Sequence, residues 1–347
     1  MSLILGIESS CDETAAAVVK DGTQVLSNIV ASQDALHQEY GGVVPEIASR
    51  AHLERILPVI LQAIRKANIS IDEIDCIAVG NRPGLIGSLL VGVAAAKSLA
   101  WSLGKPLVAV DHVLAHLWAP LLSGETPHYP ALGIVVSGGH TSILLLDDPS
   151  TATCIGKTID DAAGEAFDKA ASILEMGWPG GRFIDEAAQT GTSIYQLPRP
   201  KLKNNKSDFS FSGLKTALLY GVRGNPQRKN GKTVFPNSAA SLTLEEKNNW
   251  SASFQEAVVD TILRGLSYAL SQTGCKNLIA GGGVLANSRL REQLKSVAND
   301  KNLQLHVPEV TYCVDNAAMI AGLGWHLFST SQFADLELTA SPRGIAS

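Results

Sequence analysis

Two histidines and one aspartate have the types and placement of a metal site. His112 and His116 are four residues apart in a segment with a helical pattern, which puts both imidazoles on one face of a helix. Taken alone they could equally be half-buried residues without a ligand, because the pattern is short and common. Asp315 begins a helical segment in the matching place of the second half of the chain. Two imidazoles and one carboxylate leave coordination positions open for a substrate, so we expect a catalytic ion, iron or zinc.

Two glycine-rich turns have the composition of anion-binding loops. Ser137-Gly138-Gly139 follows an apolar run at 132–136, and Gly281-Gly282-Gly283 follows another at 278–280. Glycine lets backbone N–H groups approach an anion, and the N-terminus of a following helix favours phosphate. Either turn alone is best interpreted as an ordinary tight turn, but the pair predicts a nucleotide cleft. The chain contains neither a Walker A motif nor G-x-G-x-x-G, which disfavours P-loop and Rossmann proteins.

Four further carboxylates are candidates for chemistry. Asp168 lies in an acidic helical segment and Asp185 lies beyond a Gly-Gly pair, so both could bind ribose hydroxyls. Asp12 and Glu13 lie in a polar turn between two apolar runs and are candidates for acid–base or orienting groups. The competing interpretation is that these carboxylates have no chemical role. Carboxylates at a helix N-terminus offset the helix dipole, and carboxylates in turns are usually solvated.

The elements that must position these residues repeat along the chain. Short apolar runs alternate with helical patterns, which is typical of βα units. A strand, a polar turn and a returning strand open the chain at 3–19, and the same order recurs at 132–146. The order predicts a duplicated α/β protein with halves at 1–125 and 126–338 and a cleft between them. A basic insert at about 198–233 and a loose tail at 339–347 complete the division.

The composition indicates a globular protein with a large core. Of its 347 residues 45% are apolar and 18% charged, which excludes global disorder. The net charge of -5 excludes a basic nucleic-acid coat. The five cysteines include no C-x-x-C pair, so neither a disulfide framework nor a cysteine zinc site is predicted. The N-terminus lacks the basic region of a signal peptide, and the apolar stretch 85–96 is too short to span a bilayer, so we expect a cytoplasmic protein without membrane association.

Six ordered motifs carry a resemblance to a known family. They are GIESSCDET at 6–14, GGVVPE at 41–46, SGGHT at 137–141, DDAAGEAFDK at 160–169, FSFSGLKT at 209–216 and DNAAMI at 315–320. With these motifs the chain resembles, over nearly its whole length, the TsaD/Gcp family of tRNA N6-adenosine threonylcarbamoyltransferases, once described as sialoglycoproteases. The resemblance implies the duplicated α/β fold of the actin, heat-shock-chaperone and sugar-kinase (ASKHA) superfamily.

The resemblance also implies a reaction. The family transfers the threonylcarbamoyl group from threonylcarbamoyl-AMP to N6 of the adenosine 3′ of the anticodon, in tRNAs that read codons beginning with A. It implies His112, His116 and Asp315 as ligands of one divalent metal ion, with Fe(II) favoured over zinc. The implied partners are tRNA, a TsaB-like paralogue and a TsaE-like ATPase. The implied donor-binding residues are Val135, Val136, Ser137, Gly138, Gly139, Asp168, Gly181, Asp185 and Asn287, and Asp12 and Glu13 are the candidates for catalysis.

Three positions depart from the family pattern. The usual His-Met-Glu-Gly-His carries a glutamate where this chain has Leu114, and Arg82 and Arg182 replace a glycine and a proline of two turns. Three other functions are disfavoured. A kinase of the same superfamily would not need two histidines and an aspartate, and a metalloprotease would carry H-E-x-x-H. A non-catalytic paralogue would be expected to lack the metal ligands.

Overall fold

The computed structural model describes residues 1–124, 126–200, 202, 205–229 and 232–345. The described strands are β1 (Leu3–Glu8), β2 (Glu13–Lys20), β3 (Gln24–Ser32), β4 (Cys76–Arg82), β5 (Leu107–Asp111), β6 (Ala131–Val136), β7 (Thr141–Leu146), β8 (Ala152–Lys157), β9 (Gln227–Lys229), β10 (Lys232–Val234), β11 (Asn277–Gly281) and β12 (Gln304–His306). The described α-helices are α1 (Asp34–His37), α2 (Pro45–Ala67), α3 (Ile86–Leu103), α4 (His112–Trp118), α5 (Ala163–Leu174), α6 (Gly180–Ala188), α7 (Ser212–Arg223), α8 (Leu244–Thr273), α9 (Ser288–Lys301) and α10 (Ala317–Ser329).

Two five-stranded mixed sheets share one strand order. The first sheet is β3-β2-β1-β4-β5, and the second, read in the corresponding direction, is β8-β7-β6-β11-β12. In each sheet the first three strands pair antiparallel and the last two join in parallel. The α/β class predicted from the sequence is therefore confirmed, and the shared order agrees with the predicted repeat of elements.

The central strands are apolar along their whole length because both of their faces are covered. All residues of β6 and β11 are buried, and β4 is buried up to its last residue. Near-continuous apolar runs are typical of strands packed between layers, whereas a strand with one wet face alternates.

The layer between the two sheets consists of α4 and α10. One apolar cluster joins Ile4 and Ala78 of the first sheet to Val135 and Ile279 of the second through residues of these two helices. Helices α2 and α3 cover the outer face of the first sheet. Helices α5 to α9 cover the outer face of the second.

Each half of the chain sends a helix to the sheet of the other half. Helix α4 follows β5 but also packs on β6 and β11, whereas α10 follows β12 and packs on β1, β2 and β4. The second contact is close, since a Cβ on Gly6 would collide with the carbonyl oxygen of Ala317. Residues from both halves of the sequence therefore share the middle layer.

Helix α3 extends beyond the apolar stretch 85–96, as far as Leu103. By length and composition alone it is long and apolar enough to cross a membrane, a test that core helices of soluble proteins also pass. In the described structure it packs against α2 and β4. The expectation that this region is too short to span a bilayer is therefore not supported by helix length.

Two segments that the sequence analysis set apart belong to the body of the protein. The predicted insert at 198–233 contains α7, whose Leu214, Leu218 and Val222 lie in the core of the second half. Lys201 and Lys203 of this insert lie outside the described residues. The expectation of a loose tail is wrong as far as Ile345, because Ser341 N–H donates to the carbonyl of Asn81 (2.9 Å).

Candidate functional site

His112, His116 and Asp315 come together between the two sheets. His112 is the first residue of α4, His116 lies one turn later, and Asp315 precedes α10. Oδ1 of Asp315 lies 3.5 Å from Nε2 of His112 and 3.2 Å from Nε2 of His116. Ligand atoms bonded at about 2.1 Å to one ion lie about 3.0–3.4 Å apart. The spacing therefore fits a shared cation.

The hydrogen bonding of His116 gives an independent test of this fit. Its side chain is buried, and among the described residues neither ring nitrogen makes a well-aligned hydrogen bond, although Nε2 lies 3.2 Å from Oδ1 of Asp315. A buried polar group without a partner is costly and rare. Nε2, which faces Asp315, would be satisfied by a metal ion. Two imidazoles and a carboxylate are a donor set that suits iron or zinc.

Glu8 orients His112 and was not singled out from the sequence. Its buried carboxylate lies at the end of β1, and Oε2 accepts a hydrogen bond from Nδ1 of His112 at 3.0 Å. A carboxylate on the far nitrogen fixes the tautomer that leaves Nε2 free for a metal ion. The available signal was a charged residue in an otherwise apolar strand, since glutamate is almost never fully buried without a partner.

The charges of the centre act on one another. Burial alone would lower the pKa of His112, but the carboxylates of Glu8 and Asp315 raise it well above its usual value. Burial lowers the pKa of His116, and the charge of His112 adds to this effect. Burial would raise the pKa of Asp315, but the two imidazoles hold it well below its usual value. An ionised Asp315 is the form that binds a cation.

The turn that carries Asp12 and Glu13 lies near the same centre. One oxygen each of Asp12, Glu13 and Asp34 lie within 4.8 Å of one another. Burial raises the pKa of Glu13 well above its usual value, and the charges of Asp12 and Asp315 add to this. Burial also raises the pKa of Asp12. These carboxylates are therefore poised to hold a proton closer to neutral pH than exposed ones.

The first glycine turn is open and the second is largely packed. A Cβ on Gly138 or Gly139 would meet nothing within 4 Å, and neither N–H donates a hydrogen bond in the described residues. A hydrogen bond to α5 holds the turn in place, because the N–H of Gly164 at the start of that helix donates to the carbonyl of Ser137 (3.2 Å). By contrast, a Cβ on Gly282 would collide with the carbonyl of Val136. The first turn thus offers free N–H groups, as an anion site requires.

Val135 and Val136 present only their backbone to this region. Both side chains are fully buried at the end of β6. The next histidine along, His140, is fixed because its N–H donates to Oγ of Ser137 (3.1 Å). Burial lowers the pKa of His140 to about 4, and the charges of His112 and His116 add to this. Its ring is therefore neutral near the centre.

The other predicted donor-binding residues join α5, α6, α8 and α9. Oδ1 of Asp168 accepts from Gly180 N–H (2.7 Å) at the start of α6. A Cβ on the neighbouring Gly181 would meet nothing within 4 Å. Asp185 accepts from the hydroxyl of Ser288 (2.7 Å). Asn287 caps α9 by accepting from Leu290 N–H (2.9 Å), while its Nδ2 donates to Gln255 (2.7 Å).

A cavity of about 440 Å³ opens beside these residues. Its walls include Gly191 and Ser193 after α6, Gln255 of α8, and Ser288 and Arg289 of α9. Cavities of this volume suit a small ligand. The metal ligands are not part of its lining.

The three departures from the family pattern have distinct surroundings. Leu114 is buried in the cluster between the sheets, so its side chain adds packing where a glutamate would add charge. Arg82 is half exposed, and its Nε lies 3.4 Å from Oδ2 of Asp111. Arg182 is mostly exposed and pairs with Glu186 one turn along α6 (2.6 Å).

The sequence of this chain matches one family of known proteins. Residues 24–322 match the family model described as TsaD, tRNA N6-adenosine threonylcarbamoyltransferase. A protein of that description from Treponema denticola is 49% identical over 98% of this chain and 96% of its own length. Another from Kosmotoga olearia is 45% identical over 98% of this chain and 97% of its own length.

Solved structures with low sequence identity share the fold. The HypF structure from T. kodakarensis has a TM-score of 0.59 at 14% identity and covers 94% of this chain and 48% of its own. The activator of the 2-hydroxyisocaproyl-CoA dehydratase from Clostridium difficile, solved with bound ADPNP, has a TM-score of 0.52 at 13% identity and covers 95% and 97%. At these identities the likeness concerns the fold alone.

Proposed function

The chain belongs to the TsaD family of tRNA N6-adenosine threonylcarbamoyltransferases, and from that premise we propose how its site carries out the reaction. It is a transferase that modifies tRNA. We propose that the donor is threonylcarbamoyl-AMP and that the acceptor is N6 of the adenosine 3′ of the anticodon, in tRNAs that read codons beginning with A. The observation that carries this proposal is the convergence of His112, His116 and Asp315 in a chain of this family.

The proposed cofactor is one divalent metal ion held by those three residues, Fe(II) in preference to zinc. When bound, the ion would supply a Lewis acid for the threonyl part of the donor. Glu8 keeps the Nδ1 proton of His112, so that Nε2 remains available. Asp315 remains ionised under the influence of both imidazoles.

The proposed donor site runs from the open turn to the cavity. The free N–H groups of Gly138 and Gly139 would hold the phosphate of the adenylate. The same groups would stabilise charge as the AMP leaves. The segment that leads into this turn, Val135, Val136 and Ser137, would line the same site with its backbone. Asp168, Gly181 and Asp185 would hold the ribose. Asn287 would act at the adenine end, next in the chain to Ser288, which lines the cavity between α6, α8 and α9.

Asp12 and Glu13 are the proposed acid–base pair. The exocyclic amine of adenosine is a weak nucleophile because its lone pair is delocalised, so positioning contributes more than base strength. The amine must still lose a proton as the new C–N bond forms. A carboxylate with a raised pKa accepts such a proton near neutral pH.

The proposed architecture is the duplicated two-lobed ASKHA fold, with a cleft between halves at 1–125 and 126–338. The shared strand order of the two sheets supports this proposal. So does the likeness to solved structures such as the dehydratase activator. In this scheme the metal ligands come from both halves, because α4 belongs to the first and Asp315 to the second.

The proposed partners are a TsaB-like paralogue and a TsaE-like ATPase, in the cytoplasm and without a membrane. An exposed apolar stripe on α2, formed by Leu53, Leu57 and Leu61, supports a protein partner. Ile86 and Leu90 of the adjacent α3 are also exposed. A large exposed apolar patch marks a contact with another protein, and we propose the paralogue as the occupant of this α2–α3 face.

The experiment that tests the proposal is nucleoside mass spectrometry of tRNA. The protein is incubated with tRNA, threonine, bicarbonate, ATP, a donor-forming enzyme and the two partners. Threonylcarbamoyl-adenosine should form in the complete mixture and should be lost when His116 is replaced by alanine. Absence of the nucleoside in the complete mixture, while a known family member works in parallel, would refute the proposed reaction.

A further inference from the structure

The chain end runs back across the first half of the protein towards the helix that carries the two histidines. Ala334 N–H donates to the carbonyl of Leu107 on the edge strand β5 (2.8 Å). Further on, Nδ2 of Asn81 donates to the carbonyl of Thr339 (3.2 Å), and Ser341 N–H donates back to the carbonyl of Asn81 (2.9 Å). Residues 339–345 therefore form a strap fixed along its length.

The strap ends on Asp111, the residue before His112. Oδ1 of Asp111 caps α4 by accepting from Val113 N–H (3.0 Å) and Leu114 N–H (3.3 Å). Oδ2 accepts from Ile345 N–H (3.1 Å). The side chain of Asp111 is only 3% exposed, so the carboxylate serves the helix with one oxygen and the chain end with the other.

Two further residues close this junction. Gly344 passes so near the turn after β4 that a Cβ would lie 2.5 Å from Cδ of Pro83 and 2.9 Å from Oδ2 of Asp111. Arg82, where the family usually has glycine, places Nε 3.4 Å from the same oxygen. The junction therefore joins the end of β4, the start of α4 and the chain end.

Helix α4 depends on such contacts for its position. It has seven residues, all buried, and a helix of that length is not stable by itself. Its first residue and its fifth are the proposed metal ligands. A change at its N-terminal cap would therefore be transmitted directly to the Nε2 atoms that face Asp315.

We propose that the strap at 339–345 and Arg82 form a latch on Asp111 that positions His112 and His116 for the metal ion. Asp111 and Ile345 are positioning residues in this scheme and contact neither donor nor tRNA. The inference rests on the proposed metal site. It adds that the site depends on residues 339–345.

Two variants break the latch in different ways. Asp111→Asn keeps an oxygen for the cap, and asparagine is a good N-cap residue, but its NH₂ group would face Ile345 N–H. A chain that ends at Leu338 removes the strap and keeps Asp111. Lys97→Met is the matched control, because it removes a contact to the carbonyl of Leu338, the residue just before the strap.

Zinc titration and hydrogen exchange of the full chain and its variants test the latch. Zinc titration of the metal-free protein should give about tenfold or more weaker binding in Asp111→Asn and in the shortened chain. The two changes together should be no worse than the stronger single change, because both break one contact. Hydrogen exchange of the Val113 and Leu114 amides should be faster in both variants, with Lys97→Met like the wild type.

The outcomes separate the latch from the metal site. Wild-type zinc affinity and exchange in both latch variants would overturn the latch. An effect in the shortened chain alone, with Asp111→Asn like the wild type, would also overturn it, since it would reflect general stability. If the shortened chain does not fold, Asp111→Asn decides the matter. Zinc binding that survives His116→Ala would refute the metal site, while α4 exchange would still report on the latch.

Discussion

At the scale of single residues, the proposed metal centre depends on a carboxylate that does not face the metal. Glu8 is fully buried and holds Nδ1 of His112. Glu8→Gln keeps the size of the side chain but removes the charge and leaves one acceptor oxygen for two donors, Nδ1 of His112 and the N–H of Ser10. We expect zinc affinity to fall by about 10- to 100-fold. The opposed amide group should also lower the free energy of unfolding by about 1–3 kcal/mol. Zinc titration and urea unfolding measure the two quantities, and Glu54→Gln on the exposed side of α2 is the control. Equal zinc affinity in Glu8→Gln would remove Glu8 from the centre.

Asp168 gives a pH-dependent prediction. Burial raises its pKa to about 6, against hydrogen bonds from Gly180 and Gly181 that lower it. The folded-state pKa lies above the unfolded value of about 3.9, so the stabilisation is present below pH 4 and is lost as the pH rises through about 6. Asp168→Asn has no proton to lose. Its free energy of unfolding relative to the wild type should increase by about 2 kcal/mol between pH 4.5 and pH 7.5. Urea unfolding of the metal-free proteins measures this, and a pH-independent difference would contradict it.

How much of the site the sequence could predict depends on how far apart the partners lie in the chain. His112 and His116 are recognisable from a local spacing, and Asp315 from the repeat of elements. Glu8 is 104 residues from its partner His112, so no local pattern joins them. Likewise, the second glycine turn has the composition of an anion-binding loop. In the structure, however, Gly282 is needed for packing, because any side chain there would collide with the carbonyl of Val136.

At the scale of elements, the acidic segment at 160–169 connects α5 to α7 by hydrogen bonds and an ion pair. Asp160 accepts from the N–H of Phe211 (2.8 Å) and from the hydroxyl of Ser212 (2.9 Å) at the start of α7. Asp161 pairs with Lys215 of the same helix (2.8 Å). The motifs at 160–169 and 209–216 therefore contact each other. No local pattern predicts these contacts, because the residues that the two carboxylates contact lie about fifty positions later in the chain.

Ion pairs of the same kind reduce the number of basic residues in the insert at 198–233 that could bind the tRNA backbone. Within the described part of the insert, Arg199, Lys215 and Arg223 already pair with acidic residues. Arg228 and Lys229 on β9 are exposed and have no such partner there. Replacing both with glutamate should weaken tRNA binding and reduce its salt dependence, with donor binding unchanged. Filter binding at several salt concentrations measures this, with Lys66→Glu as a control. An unchanged salt slope would place tRNA docking elsewhere.

The stripe on α2 makes a prediction about the paralogue. Leu53, Leu57 and Leu61 lie one turn apart and are 66%, 59% and 44% exposed, which a sequence pattern alone would interpret as a buried face. Leu57→Asp should weaken the complex with the TsaB-like paralogue by about tenfold or more, because a charge would be buried at the contact. Its unfolding by urea should match the wild type. Leu244→Asp, at an isolated exposed leucine, should bind normally. Undiminished binding by Leu57→Asp would exclude this face.

At the scale of the whole molecule, α4 and α10 each pack on the sheet of the other half. The two halves predicted at 1–125 and 126–338 are therefore not independent units. Neither half has a complete core without the other. Apolar periodicity could predict both helices but not the sheet on which each would pack. That choice depends on the small residues that allow close contact, such as Gly6 against Ala317.

An ion held by both of these helices should stabilise the whole protein. The proposed ligands are His112 and His116 from α4 and Asp315 at the start of α10, so separation of the two halves would break the site. An ion that binds only the folded state adds about 2.7 kcal/mol to the free energy of unfolding at a free concentration 100 times its Kd. Zinc should therefore raise the midpoint temperature of the wild type and leave that of His116→Ala unchanged. His128→Ala, which removes an exposed histidine outside the centre, should respond like the wild type. Calorimetric scans with and without zinc test this, and an equal rise in His116→Ala would show that zinc stabilises the protein from another site.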